Sequence, residues 1–216
     1  MRLFHWILEI LFPSKCVLCG KLLKGEQTDF CRECRTTVKL YPHRKRKFQF
    51  LDSFAAVWYY EGYVRKSLLR YKFCGKQNYA LAYGRILAMK VYMEYPEGVD
   101  CLTWVPVSAW RRFTRGYDQV QLLAEAVSRE LGLAAVPMLK KVRHNRRQSG
   151  IRDAAARKAN VLNAYRVIQP ENIFGKRVLL LDDILTTGAT ASECGRMLKS
   201  AGAKEVHCAA IAASRK

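Results

Sequence analysis

No stretch of this chain is long and apolar enough to cross a bilayer, which takes about 20 such residues in a helix. There is no internal repeat and no low-complexity tract, so a solenoid or fibrous reading finds no support. Acidic residues are scarce: 18 Asp and Glu stand against 38 Lys and Arg, a formal net charge of +20. A surface this basic attracts polyanions, whether nucleic acid, phosphorylated substrates or anionic lipid, without choosing among them. Half of the 216 residues are hydrophobic and 26% are charged, which excludes a mainly disordered chain. The length suits one domain with a proper core plus a small appendage.

The first thirteen residues look superficially like a signal peptide. Glu9 interrupts the apolar run, and no small-residue cleavage site follows. Leu3, Trp6, Ile7, Ile10 and Leu11 repeat at helical spacing, which predicts a short amphipathic helix stopped by Pro13. Such a helix serves either as a lid on the core or as a weak membrane-surface contact.

Four of the eight cysteines form two knuckles, Cys16-x-x-Cys19 and Cys31-x-x-Cys34. Each knuckle turns two thiolates toward one point, and four thiolates complete a closed tetrahedral shell around Zn²⁺. Gly20 suits the tight turn of the first knuckle. The flanking segment is too small to bury much apolar surface, so a structural metal would supply its folding energy. Two disulfides or four free thiols are the other readings. With no signal peptide a reducing, cytoplasmic compartment is expected, where disulfides are rare. A closed shell leaves no open position for metal catalysis. Cys74, Cys101, Cys194 and Cys208 are read as inert core residues. The basic run at 43–47 reads as a solvated linker or as a nucleic-acid contact. Residues 1–47 thus form an N-terminal helix, ribbon and linker, and 48–216 the main domain.

From residue 51 strand-like and helix-like segments alternate. Strands are predicted at 53–60, 102–107, 139–142, 164–168, 178–181 and 206–213. Helices are predicted at 64–73, 79–93, 119–131 and 190–200. This alternation indicates an α/β fold with a mostly parallel sheet flanked by helices. The fully apolar run at 178–181 suits a central strand buried on both faces. It ends in two adjacent carboxylates, Asp182 and Asp183, and Thr186-Thr187-Gly188-Ala189-Thr190 then leads into a helix. Backbone N–H groups and the helix dipole converge there, so the loop can hold a phosphate. The carboxylates cannot favour a phosphate. They can accept hydrogen bonds from a sugar diol or hold Mg²⁺ through water.

The whole run from 178 to 190 resembles the phosphoribosyl pyrophosphate (PRPP) signature of type I phosphoribosyltransferases. That resemblance implies that Asp182 and Asp183 contact the ribose hydroxyls, and that Thr186, Thr187, Gly188, Ala189 and Thr190 hold the 5′-phosphate. Two further stretches narrow the family. Residues 105–119 run Val-Pro-Val-Ser-Ala-Trp-Arg-Arg-Phe-Thr-Arg-Gly-Tyr-Asp-Gln, a strand end, a basic loop and a helix start capped by Asp118. Residues 143–150, Arg-His-Asn-Arg-Arg-Gln-Ser-Gly, continue to Arg157 and Asn160. Together with the cysteine knuckles these resemble the ComF family, the ComFC-type competence proteins of bacteria, over nearly the entire chain.

The resemblance lays the loop at 108–115 over the pyrophosphate, where Arg111, Arg112 and Arg115 offer planar guanidinium forks. It places 143–160, with Arg147, where relatives carry a mobile hood. Asp182, Asp183 and Arg115 are the implied catalytic residues. Each arginine can equally be a solvated surface charge, and Gln119 and Gln148 helix-surface residues. Phe113 and Tyr117 are candidates for stacking on a base or for ordinary packing. Two functions stay open. One is nucleic-acid handling in uptake of transforming single-stranded DNA, with a phosphoribosyl ligand, Mg²⁺ and, by family implication, a competence helicase as partner. The other is an active phosphoribosyltransferase of nucleotide salvage or a related pathway, displacing pyrophosphate from C1 of PRPP.

Overall fold

The computed structural model describes residues 13–25, 27–42, 47–143 and 161–215. The amphipathic start predicted at 3–11 and most of the basic run lie outside the described residues. In chain order the elements are α1 (Arg32–Thr37), β1 (Ser53–Tyr59), α2 (Gly62–Phe73), α3 (Tyr79–Glu94), β2 (Cys101–Trp104), α4 (Ala109–Arg115), α5 (Gln119–Leu131), β3 (Leu139–Lys141), β4 (Tyr165–Val167), a 3₁₀ turn (Pro170–Asn172), β5 (Arg177–Leu185), α6 (Ala189–Ser200) and β6 (Glu205–Ala213).

β1, β6, β5 and β2 pair in that order as a parallel four-stranded sheet. β5 and β6 are apolar along most of their length because helices cover both faces of the sheet. Leu179 and Leu181 pack with α3 and α5 on one face. Val178 and Leu180 pack with Cys194 and Leu198 of α6 on the other. β3 and β4 form a separate antiparallel pair.

Three predicted segments differ from the structure for identifiable reasons. β2 stops at Trp104 instead of residue 107, because Pro106 has no N–H to continue a ladder. β5 does not end at the carboxylates. It continues to Leu185, since β6 still pairs with it at Asp182↔Ala210, Ile184↔Ala212 and Leu185↔Ala213. The basic stretch read as a loop at 108–115 is α4, a helix N-capped by Ser108, whose Oγ accepts from Arg111 N.

Both edges of the sheet are covered. Outside β1, Tyr41 N donates to Val57 O at 2.8 Å and Tyr59 N to Lys39 O at 3.0 Å. Outside β2, Leu102 N donates to Ala134 O at 3.2 Å and Val136 N to Leu102 O at 2.9 Å. Among the described residues no helix is long and apolar enough to cross a membrane.

Helices α3 and α5 approach closely at Gly84, where an added Cβ would lie 2.5 Å from Ala126 Cβ and 3.0 Å from its backbone carbon. Gly84→Ala gains helix propensity but overpacks this contact, and the overpacking wins. The expected outcome is a net loss of about 1–2 kcal/mol in urea unfolding; unchanged or higher stability would show that the two helices can separate freely.

Candidate functional site

β2 and β5 pair through Trp104↔Leu181, and Val105 N still donates to Leu181 O at 2.9 Å. Beyond that point the chain after β2 turns away into α4. Asp182 and Asp183 therefore sit on a strand still paired on the β6 side but open toward β2. A cleft of about 640 Å³ occupies the opening at the carboxyl ends of the strands, where ligands of open α/β sheets bind.

Side chains alternate across a strand, so the two carboxylates leave on opposite sides of the sheet and meet the cleft from different directions. Asp183 turns toward α2 and α5. Lys72 Nζ lies 2.8 Å from its Oδ1, and Gln119 Nε2 donates to its Oδ2 at 3.1 Å. Gln119 Oε1 in turn accepts from Arg115 Nη1 at 2.8 Å, and the Arg115 guanidinium lies 4.8 Å from the centre of the Phe73 ring. Burial lowers the Arg115 pKa.

Asp182 turns toward α6 and the β3–β4 pair. Its Oδ1 accepts from Asp183 N at 2.8 Å. Burial, and then the neighbouring Asp183 carboxylate, push its pKa up to about 8. Lys141 and Tyr165 close this side of the cleft, with Lys141 Nζ 5.3 Å from the centre of the Tyr165 ring. Burial and then the Arg111 charge lower the Lys141 pKa to about 8.

The 186–190 turn joins β5 to α6. Gly188 caps α6 at φ +77°, a conformation that favours glycine. Phe48 lies directly over it, so that an added Cβ would meet the ring at 2.2 Å. Thr186 and Thr190 line the cleft. The opposite wall hangs on Asp118. Its Oδ1 accepts from Val120 N and Gln121 N at the start of α5, and its Oδ2 accepts from Val107 N at 3.4 Å. One carboxylate thus caps a helix and ties down the 105–108 turn.

Of the predicted site residues, the cleft gathers Asp182, Asp183, Thr186, Thr190, Arg111 and Arg115. Arg112 is exposed and does not line it. Arg147 and Gln148 lie outside the described residues. Phe113 is 86% exposed, whereas Tyr117 is buried and donates its OH to Tyr71 O. Gln119 is not a helix-surface residue: it is 3% exposed and bridges Arg115 to Asp183. Lys72, Lys141 and Tyr165 were not singled out by sequence. Lys72 and Lys141 are two of 38 cations, and nothing local distinguishes them. Gln119 carries a weak signal as the first helical residue after the capped basic stretch.

In the ribbon the Sγ atoms of Cys16, Cys19, Cys31 and Cys34 lie within 4.8 Å of one another. Zinc–sulfur bonds of about 2.3 Å in a tetrahedron set sulfurs about 3.8 Å apart, so the four fit a Zn²⁺. Cys31 N donates to Cys16 Sγ and Cys34 N to Cys31 Sγ, each at 3.4 Å, as suits thiolates. None of the cysteines is in a disulfide. Cys101, Cys194 and Cys208 are buried as expected. Cys74 is not a core residue: it caps the C-terminus of α2 and is exposed.

The raised Asp182 pKa has a sign. The folded state holds this proton above the unfolded value of about 3.9, so its stabilising effect is present at low pH and is lost as pH rises toward about 8. Asp182→Asn, which keeps the acceptor to Asp183 N, is expected to be more stable than wild type by about 1–2 kcal/mol near pH 8 and by much less near pH 5. Thermal melts across this range check it; a constant difference would place Asp182 in the ordinary carboxylate range.

A phosphoribosyl transferase domain matches residues 121–216 and a double zinc ribbon domain residues 7–45. The chain is 26% identical to Competence protein F of Haemophilus influenzae, over 90% of this chain and 95% of that protein. It is 29% identical to Competence protein ComFC of Streptococcus pneumoniae, over 87% of this chain and 77% of that protein. It is 31% identical to DNA utilization protein YhgH of Salmonella typhi, over 62% of this chain and 60% of that protein. The ribbon match agrees with the Cys₄ cluster as a structural zinc site. The chain thus joins a zinc ribbon to a phosphoribosyltransferase-like α/β domain, and over most of its length it is similar to the ComF-type competence proteins.

Proposed function

We propose that the cleft binds PRPP with Mg²⁺, and that the protein acts in DNA uptake by handling single-stranded DNA on the cytoplasmic side. The observation that carries the first part is the convergence on one cleft of the Asp182–Asp183 pair with Thr186 and Thr190 of the turn before α6, together with Arg111 and Arg115. In this reading Asp182 and Asp183 accept from the ribose hydroxyls. Thr186 and Thr190, with the backbone N–H groups of 187–190, hold the 5′-phosphate. Arg111 and Arg115 face the pyrophosphate, and Lys72 offsets the charge of Asp183. Mg²⁺, when bound, would neutralise the pyrophosphate, and the aspartates are the residues here that suit it through water.

The relatives' names, Competence protein F, ComFC and DNA utilization protein, support the second part. So does the +20 charge. Trp110 and Phe113 are exposed beside Arg111 and Arg112, a mixture of stacking and cationic groups that suits single strands. We read residues 1–47 as the ribbon unit and 48–216 as the ligand-binding unit. A transferase reading shares the site. It is favoured by the cleft's extension past the aspartates to Tyr60, Leu69 and Phe73, which leaves room for an acceptor. The C1–O bond to pyrophosphate would then break as a C1–N bond forms, and pyrophosphate release with an added base would report it.

PRPP with Mg²⁺ at about 100 times its Kd is expected to raise the melting temperature by several degrees, equivalent to about 2.7 kcal/mol. The Asp182→Ala/Asp183→Ala protein should show none of that rise; equal shifts in both would remove the aspartates from the site. Anisotropy titrations of a labelled single strand should weaken steeply with salt, by about 0.7 log units per phosphate contact for each tenfold increase. Affinity independent of salt would sink the polyanion reading.

A further inference from the structure

Helix α2 touches the zinc ribbon with one face and the cleft with another. On the ribbon face, Ser67 Oγ donates to Val17 O at 2.5 Å. Arg70 Nη2 donates to Val17 O at 3.1 Å and to Leu18 O at 2.7 Å. Val17 and Leu18 are the two residues between Cys16 and Cys19, so these carbonyls belong to the knuckle itself. Arg70 is held there firmly enough that its Nε is buried without a partner. A buried unpaired donor persists only where other contacts fix the group.

On the cleft face, Lys72 pairs with Asp183 at 2.8 Å, and Phe73 lies under the Arg115 guanidinium. Between the two faces, Tyr71 OH donates to Gln119 O at 2.5 Å, and Tyr117 OH donates to Tyr71 O. The last turn of α2 is thus clamped between the knuckle and the groups that hold Asp183. The ribbon has a second attachment that bypasses α2: Arg85 of α3 donates to both carboxylate oxygens of Asp29, at 2.9 and 2.5 Å.

We propose that Ser67 and Arg70 are positioning residues through which the metal-bound Cys16–Cys19 knuckle fixes the last turn of α2, and with it Lys72 and Phe73 in the cleft. The knuckle can hold those carbonyls in place only while its sulfurs are tied to a common centre. Order in the ribbon and affinity in the cleft are then coupled, and the coupling runs both ways: a ligand on Asp183 steadies α2 and so retards metal loss. Only the affinity part rests on the PRPP reading; the ordering of α2 does not.

The test compares the full-length, zinc-loaded protein with Arg70→Met and Arg85→Gln. Zinc content, amide hydrogen exchange over 70–74 and the Kd for PRPP with Mg²⁺ are measured on each. Arg70→Met keeps its zinc, exchanges faster over 70–74 and binds PRPP with Mg²⁺ about tenfold more weakly. Arg85→Gln, which removes only an exposed side-chain pair with Asp29 and leaves the Ser67 and Arg70 bonds to the knuckle carbonyls in place, matches wild type in both readouts. Unchanged exchange in Arg70→Met overturns the proposal, as does an equal effect in Arg85→Gln. If Arg70→Met does not fold, Ser67→Ala, which removes the donor to Val17 O and also the partner of the Tyr83 hydroxyl, is read in the same way against Tyr83→Phe, which removes only the second contact. Failure of wild type to bind PRPP would end the ligand reading, while hydrogen exchange would still decide the coupling.

Discussion

The parting of β2 from β5 after Trp104 and Leu181 is the constraint on which the cleft depends. A parallel sheet satisfies its own backbone, and a site forms where one strand leaves while its neighbour continues. Pro106 ends the ladder, and Asp118 fixes the direction of departure by bonding Val107 N and the start of α5 at once. β6 continues beside β5 as far as Leu185, so the carboxylates stand on a rigid strand and not on a loop. Rigid placement is what a charged site needs, because groups held in advance cost little reorganisation when a ligand arrives.

The cleft is electrostatically divided. On one side Asp183 is matched by Lys72 and Gln119, and Gln119 passes the connection to Arg115. On the other, Asp182 and Lys141 are both shifted toward their neutral forms by burial. Alternation along a single strand produces this difference from two identical neighbouring residues. A ligand rich in phosphate meets a paired acid on one side and an acid that readily keeps its proton on the other, so the aspartates repel it less than their number suggests.

Much of this was legible in the sequence because the signals are local. Two CxxC pairs, four apolar residues followed by paired acids, and Thr-Thr-Gly-Ala-Thr before an amphipathic helix each depend on neighbours within a few positions. The limits of β2 and β5 were not legible in the same way. Strand length is decided by the partner strand, and the pairing of Asp182 with Ala210 links residues far apart in sequence. Lys72 and Lys141 escaped for a related reason: their meaning comes from Asp183 and Tyr165, brought beside them only by the fold. Seven residues with three arginines carry no amphipathic period, so the sequence marks α4 as a helix only through its Ser108 cap.

The border of the sheet beside β1 is closed by residues 39–41, which emerge directly from the ribbon. Release of the metal would loosen that segment as well as the knuckles, baring a row of unpaired amides and carbonyls along β1. An open strand of this kind is a template for a second molecule. Tying the knuckles to a metal would therefore also keep this border of the sheet covered, a duty separate from any chemistry in the cleft.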